Sequence, residues 1–513
     1  MKKRILSILL AAAMTVALVT GCGKMDNNGT PSKESTAAES KNSSAEESKT
    51  TTEGTDSVLK DGNVVELEML IPNADQPNRE AVEDAMNAAL LKHVDAKVTF
   101  KTIELGNSEQ ANLLLASGEK ADILMFANTG VIRNMATRGQ LLSLEELAPI
   151  YAKDALESTA GFEKSCYVNG ECYGLTTFRD LANSFGVNCR KDWLEESGMK
   201  AEDIKTWDDV EVLFDKVKEK HPNAYMAVAN PGSPILNYGE VRYDRIVSGV
   251  GCRVDDNDGH IDIVNVYATD DYMEMAERAY KWNQKGYFPP DPTTQTVDVN
   301  GWLQMGQGFA GLVGIHPGMP YEMELSTGVE MVSLQIEHNA MMGDSCGWFQ
   351  WLIPAQCVAP EKAMAVINLL YSDSEIVNLF LYGIEGKDYT VDENGMAIIP
   401  DTTGWREGNA VVGNTKVAYV PDFYPADIYE RWDEYNKTAD MSPLFGFVFD
   451  STNVKSEVAA VDNIVSKYRA IVGCGVAEPK ETMAKINEEL EAAGIQKVID
   501  EMQKQVDVWQ SSK

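Results

Sequence analysis

Apolar and acidic positions alternate at residues 64–70, VVELEML, where Val65, Leu67 and Met69 share one face and Glu66 and Glu68 fall between them. A period of two predicts a half-buried strand. After the loop IPNADQPN, residues 79–93 place Val82, Met86, Ala89 and Leu90 at helical spacing. The segment AKVTFKTI alternates again, at Val98 and Phe100. A helix is expected over 108–117, stopped by Gly118, the residue type favoured just past a helix end. The unbroken apolar run ILMF at 123–126 predicts a strand covered on both faces. The order β-α-β-α-β implies an α/β lobe with a parallel sheet and right-handed crossovers.

The same periodicity predicts helices over 207–219, 272–284 and 361–372. At the far end, Met483, Ile486 and Leu490 repeat at three and four. Gly494 breaks the pattern, and Ile495, Val498, Met502, Val506 and Trp509 resume it, so two helices are expected within 480–510. The stretch VDDNDGHIDI at 254–263 reads as a turn between short strands. As a calcium loop it would need Asp at position one and Glu at twelve, where Val254 and Asn265 stand. GDSCG at 343–347 fits G-x-S-x-G, but a nucleophile elbow needs a helix after the serine, and WFQWLIP reads as a strand. Ser345 is therefore not expected to be catalytic. The five histidines form no HExxH. No catalytic residue, metal site or cofactor is expected.

The first residues follow a different rule. Lys2, Lys3 and Arg4 precede the apolar run ILSILLAAAMTVALV at 5–19. That run is shorter than the ~20 residues a membrane span needs. A basic start, a short apolar core and small residues describe an export signal over 1–21. Val19-Thr20-Gly21-Cys22 resembles the lipobox of bacterial lipoproteins, which implies a lipid on Cys22. Residues 23–63 are rich in Ser, Thr, Glu, Lys and Gly and hold no aromatic. Such a segment buries too little apolar surface to order itself. Residues 22–62 are expected to form a lipidated, disordered linker with a reach of about 35 Å.

Charge narrows the function. The formal net charge is −34, and loss of residues 1–21 would make it −37 by removing three positive charges. Such acidity excludes nucleic acid as a partner, because basic patches supply that affinity. Seven cysteines follow Cys22, an odd number with no CxxC spacing. Cys166 and Cys172 flank a hairpin-like VNGE and form a candidate disulfide.

Several stretches in order resemble an extracellular solute-binding protein of a carbohydrate-type ABC importer. They are LLLASGEKADILMF (113–126), YGLTTFRDLANSFGVNCRKDWLEESG (173–198), KWNQKGYFPPD (281–291) and GQGFAGLVGIHPG (306–318). YGIEGKDYTVDENG (382–395), SPLFGFVFD (442–450) and GIQKVIDEMQKQVDVW (494–509) resemble a lipoprotein subgroup with a long C-terminal region of unassigned role. The resemblance implies an α/β, two-lobed, periplasmic-binding-protein-like fold with a hinge and an interlobe cleft. On this basis lobe one is expected from 63–178 and 298–345. Lobe two is expected from 179–297 and 346–513, including the C-terminal extension. The implied partners are a small-molecule solute, expected to be an oligosaccharide, and the permease subunits. The membrane is reached through the lipid, on its outer face, and the chain is expected to be a monomer. A cell-surface glycoside hydrolase and a glycan-binding adhesin are the alternatives.

In α/β sheets ligands gather beyond the C-terminal strand ends. That points to Asn73, with Gln76, and to Asn128. The crossing segments add Phe178, Arg179 and His316. Trp302, Trp348 and Trp351 suit a sugar, whose ring face stacks on aromatic planes while its rim takes hydrogen bonds. Trp348 and Trp351 are three apart in a strand pattern, so they are expected to face opposite ways. An acidic sugar would find a bidentate partner in Arg179.

Overall fold

The computed structural model describes residues 58–511, except 169, 257, 258, 344, 345 and 401–403. The expected signal, Cys22, most of the linker and Ser345 lie outside the described residues. Two sheets organise the chain. The first runs in the order Ala96–Thr102, Val65–Ile71, Ile123–Ala127, Phe349–Leu352, Gly174–Thr176. Its first three strands are parallel, as the alternation predicts, and Phe349–Leu352 is antiparallel to Ile123–Ala127. Helices Arg79–Leu90 and Ser108–Ser117 connect the parallel strands. Gly118 ends the second at φ +74°, a conformation that favours glycine.

The second sheet runs Met331–Gln335, Ser184–Arg190, Gly308–Ile315, Tyr225–Val228. These pairings correct the expected division of the lobes. Gly308–Ile315 is bonded to Ser184–Arg190 along six residue pairs, so the 298–345 stretch lies almost wholly in lobe two. Phe349–Leu352 and helices Pro360–Ser372 and Ser374–Tyr382 join the lobe-one core. Thus 306–318 is an inner strand of lobe two and not the return crossing. The return runs through 336–348, where Ala340 bridges Asn183 of the first crossing. A third crossing pairs Asp440–Met441 with Ala340–Met341. Phe178, Leu181, Ala182, Met341, Cys346, Tyr435 and Phe445 pack together where the three crossings meet.

The C-terminal extension belongs to lobe two. Helices Lys455–Gly473, Pro479–Ala493 and Ile495–Ser511 bury Val461, Val465, Met483, Ile486, Leu490, Val498, Met502 and Val506 against its core. Gly494 separates the last two at φ +90°. Buried Glu240 ties this layer down by ion pairs of 2.9 Å to Arg469 and 2.6 Å to Arg245. Cys166 and Cys172 are not joined. The Cys172 thiol donates to the Gly174 carbonyl at 3.2 Å, and the Cys166 sulfur lies 3.8 Å from the Ser165 hydroxyl.

Candidate functional site: the interlobe cleft

The cleft follows from strand direction. Ile71 and Ala127 end the parallel strands of lobe one, and Phe349 pairs with Ala127 at that edge. Ile315 pairs with Ser184 at the facing edge of lobe two. The first crossing, 177–183, joins these two edges.

Trp348 stands at the lobe-one edge and is 36 % exposed. Its carbonyl accepts from the Asn128 backbone N–H at 2.9 Å. Asn128 holds φ at +93°, and its side chain accepts from the Val131 N–H at 3.2 Å, capping helix Thr129–Thr137. Asn tolerates such a backbone better than most residues. The structure therefore gives Asn128 a turn-and-cap role that positions Trp348. Phe349, next in the chain, lies under the Arg179 guanidinium, 5.4 Å from ring centroid to Cζ.

From Arg179 a chain of polar groups crosses to lobe two. Arg179 Nη1 donates to the Asp180 carbonyl at 2.8 Å and to its carboxylate at 3.2 Å. The other Asp180 oxygen sits 2.7 Å from His316 Nδ1, and His316 Nε2 is 3.7 Å from Glu322. Tyr424 donates its hydroxyl to Glu322 at 2.5 Å. Burial opposes the charged imidazole, but Asp180 and Glu322 outweigh it and raise His316 to about 9. Burial opposes ionised Asp180 too, yet His316 and Arg179 hold its carboxyl below the usual range.

A strap, residues 404–437, runs from the lobe-one core to lobe two. At its lobe-one end Glu407 is 2 % exposed. It accepts from the Asn73 backbone N–H at 3.1 Å and from Asn73 Nδ2 at 3.3 Å. Gln76 and the Arg406 backbone exchange two further bonds, of 3.1 and 2.7 Å. Burial pushes Glu407 up to about 8, against the pull of the Asn73 donors. Asn73 and Gln76 are thus occupied in holding the strap.

The remaining expected residues divide sharply. Phe178 is buried in the crossing cluster with Lys416 Nζ 4.5 Å from its ring centroid. Trp351 is fully buried and meets Phe380 edge-on at 5.8 Å, inside lobe one. Its expected place in the cleft is corrected: the strand alternation that exposes one tryptophan buries the other. Trp302 packs edge-on to Tyr225 at 5.3 Å, beside Gly308. Those residues begin their strands, so Trp302 lies about 20 Å from the cleft edge at ~3.3 Å per residue. It is also removed from the site. Sequence reasoning missed Glu322, Glu407 and Tyr424. GWREGN and FYPADIY carry no periodicity, and only their long-range partners reveal them.

Residues 73–420 match the family described as bacterial extracellular solute-binding protein, and residues 443–511 match a domain of unknown function, DUF3502. A carbohydrate ABC transporter substrate-binding protein of Streptococcus pneumoniae is 24 % identical over 438 residues, covering 83 % of this chain and 87 % of its relative. The crystal structure of the N-glycan transport solute-binding protein of Streptococcus pneumoniae superposes with a TM-score of 0.77 at 22 % identity, covering 88 % of this chain and 99 % of the other. An HMO-binding, ABC-transporter-associated solute-binding protein from Bifidobacterium longum infantis gives 0.60 at 16 % identity, covering 88 % of this chain and 99 % of the other. With two lobes joined by three crossings and a family match over most of its length, the chain belongs to the bacterial extracellular solute-binding proteins.

Proposed function

We propose that this protein captures an oligosaccharide between its lobes and delivers it to the permease of an ABC importer, without altering it chemically. The observation that carries this reading is Trp348, a large aromatic side chain 36 % exposed at the lobe-one edge of the cleft. Arg179 lies over Phe349, the residue after Trp348, and Asp180, His316 and Glu322 carry the polar chain on into lobe two. A solute touching both lobes favours their closed arrangement by its differential contacts. The relatives support the solute class: one is crystallised with Man1GlcNAc and another with kestose. Lipid on Cys22 would hold the protein, as a monomer, at the outer face of the cytoplasmic membrane, with residues 22–62 as the tether. Two chains on that cysteine bind stably where one does not.

A thermal-shift screen of the chain without its first 22 residues tests this, using neutral oligosaccharides, uronates and short peptides. A ligand at a hundred times its dissociation constant adds about 2.7 kcal/mol, which moves the melting midpoint by degrees. The expected result is a shift with oligosaccharides and recovery of the glycan unchanged. A glycan consumed during incubation would make the protein a hydrolase, and a shift only with peptides would replace the solute class.

A further inference from the structure

We propose that Arg179 is the pivot of the first crossing, taking up lobe movement in its own φ and ψ, and that Asn436 confines the movement to that residue. This rests on the reading of the protein as one that captures by closing, and not on which solute it takes.

The backbone bonds along the crossing divide at one α-carbon. On the near side, the Phe178 N–H donates to the Gly413 carbonyl at 2.7 Å, and the Phe178 carbonyl accepts from the Thr415 N–H at 3.2 Å. Asn414, between those partners, donates its N–H to the Leu370 carbonyl of lobe one at 3.0 Å. The peptide planes on both sides of Phe178 are therefore fixed to lobe one. On the far side Asn436 takes over. Its Nδ2 donates to the Arg179 carbonyl at 2.7 Å. Its Oδ1 accepts from the N–H of Leu181 at 2.7 Å and of Ala182 at 3.1 Å. Asn183 then exchanges two bonds of 2.8 Å with Ala340. Every peptide plane from Arg179–Asp180 to Ala182–Asn183 is thus fastened away from lobe one. A peptide unit is planar, so the chain turns only at the α-carbons between planes. Arg179 is the α-carbon where the attachment changes hands. Hinges absorb φ/ψ changes at a few such positions, which need not be small residues.

Asn436 itself is held on lobe two. Its neighbour Tyr435 donates its hydroxyl to the Ile315 carbonyl, and the Tyr435 carbonyl accepts from Asn339 Nδ2. Buried Asp244, on the lobe-two strand Tyr243–Val247, accepts from the Gly343 N–H at 2.8 Å and the Ser442 hydroxyl at 2.6 Å. It holds the other two crossings to the same lobe. The start of helix Ile428–Lys437 also touches lobe one, by the Tyr429 hydroxyl on the Tyr419 carbonyl at 3.2 Å and by Lys416 on Asp433 at 3.0 Å. Those contacts use partly exposed side chains, whereas Asn436 is 6 % exposed. A single pivot favours capture. With the crossing pinned on both sides, closure has one residue to order. With it loose, closure orders Arg179 to Ala182 together, and each ordered residue costs chain entropy.

The test measures the distance between spin labels, one on each lobe, in the chain without its first 22 residues. Leu113→Cys and Val212→Cys carry the labels at exposed positions. Cys357→Ser removes the half-buried thiol, and the other free cysteines are buried. Distances are read without solute and with Man1GlcNAc or kestose, and melting midpoints confirm folding. Asn436→Ala removes all three bonds and is expected to broaden the distance distribution of the solute-free protein. Asn436→Asp keeps the acceptor oxygen and lacks the donor, so it should broaden the distribution less. Hydrogen exchange at Leu181 and Ala182 should quicken about five-fold in Asn436→Ala, the factor that one such bond is worth, while exchange in the two sheets stays as it was. An unchanged distribution in folded Asn436→Ala overturns the proposal. If neither variant folds, exchange in the natural chain decides. Protection at Leu181 and Ala182 equal to that at Asn183 supports the pivot, and free exchange there overturns it. If neither glycan moves the distance in the natural chain, capture of these glycans by closure falls, and the solute-free distributions still judge the pivot. If a glycan moves it and Asn436→Ala behaves identically, only this inference falls.

Discussion

The two ends of the strap are built differently. At lobe one, Trp405 is fully buried, stacks on Phe100 at 5.3 Å and donates its indole N–H to the Phe380 carbonyl at 2.8 Å. Glu407 and Gln76 add the bonds to the loop after the first strand. At lobe two, Tyr424 reaches Glu322, and Arg431 reaches the Tyr321 hydroxyl at 3.3 Å. The first end is packed into the lobe-one core, while the second joins lobe two through a smaller cluster, in which buried Tyr424 meets Tyr321 edge-on at 6.4 Å beside these polar contacts. The difference teaches that the strap is anchored more deeply in lobe one, through the Trp405 core contacts, than in lobe two. If the lobes part along this asymmetry, the second set of contacts is expected to break before the first.

The largest effect is expected from Trp405→Ala. Removing a fully buried aromatic costs roughly 3–5 kcal/mol. Thermal or denaturant unfolding should show this as an early loss of lobe one. A change under 1 kcal/mol would mean that the strap is not part of the lobe-one core.

Next comes pH. Glu407 titrates near 8 in the folded chain against an ordinary 4.5. The folded chain therefore keeps a proton that the unfolded chain has released. Stability is full below about 4.5 and declines as pH rises to about 8, by roughly 3–5 kcal/mol at ~1.4 kcal/mol per pKa unit. Glu407→Gln should flatten the stability profile over that window. His316 works in the same direction at the hinge, from its ordinary 6.5 to about 9, so His316→Gln should flatten only the upper part. Unfolding profiles of the two variants that coincide would show that the two ends are not separable.

These predictions rest on contacts that the sequence reveals unevenly. Residues 64–126 could be read almost element by element, because alternation, helical spacing and the Gly118 stop are local. The exchange of strands between lobes could not. FAGLVGI and FQWL are both apolar runs, and nothing within either says which sheet it joins, since that is settled by pairing with residues far away in sequence. The spacing of Trp348 and Trp351 anticipated opposite faces but not which of them would be exposed. Asn73 was singled out for its place after a strand, and its actual partner, Glu407, lies 334 residues away.

Trp348→Ala separates binding from folding. The side chain is not enclosed by either core, so the melting midpoint should stay within about 0.5 kcal/mol of the natural chain. Affinity for a bound oligosaccharide should fall by roughly 10- to 100-fold, as for an aromatic anchor at a binding surface. Unchanged affinity in calorimetric titration would move the platform elsewhere.

The smallest effect is the most telling about the strap. Tyr424→Phe removes one hydroxyl and nothing else. Burial and Glu322 already push the Tyr424 phenol well above its ordinary value, so the lost group is a neutral donor to a carboxylate. Such a bond contributes about 1 kcal/mol, and lobe one, which holds the strap by other contacts, should melt where it did. The bond joins the strap to lobe two, so its loss should be felt where the lobes come together. The expected result is a few-fold faster release of bound oligosaccharide with little change in association, because a destabilised closed state opens more often. If release is unaffected, the Tyr424–Glu322 contact persists when the cleft opens. The strap is then fixed to both lobes, and opening must bend the strap between Glu407 and Tyr424 instead of parting it from lobe two.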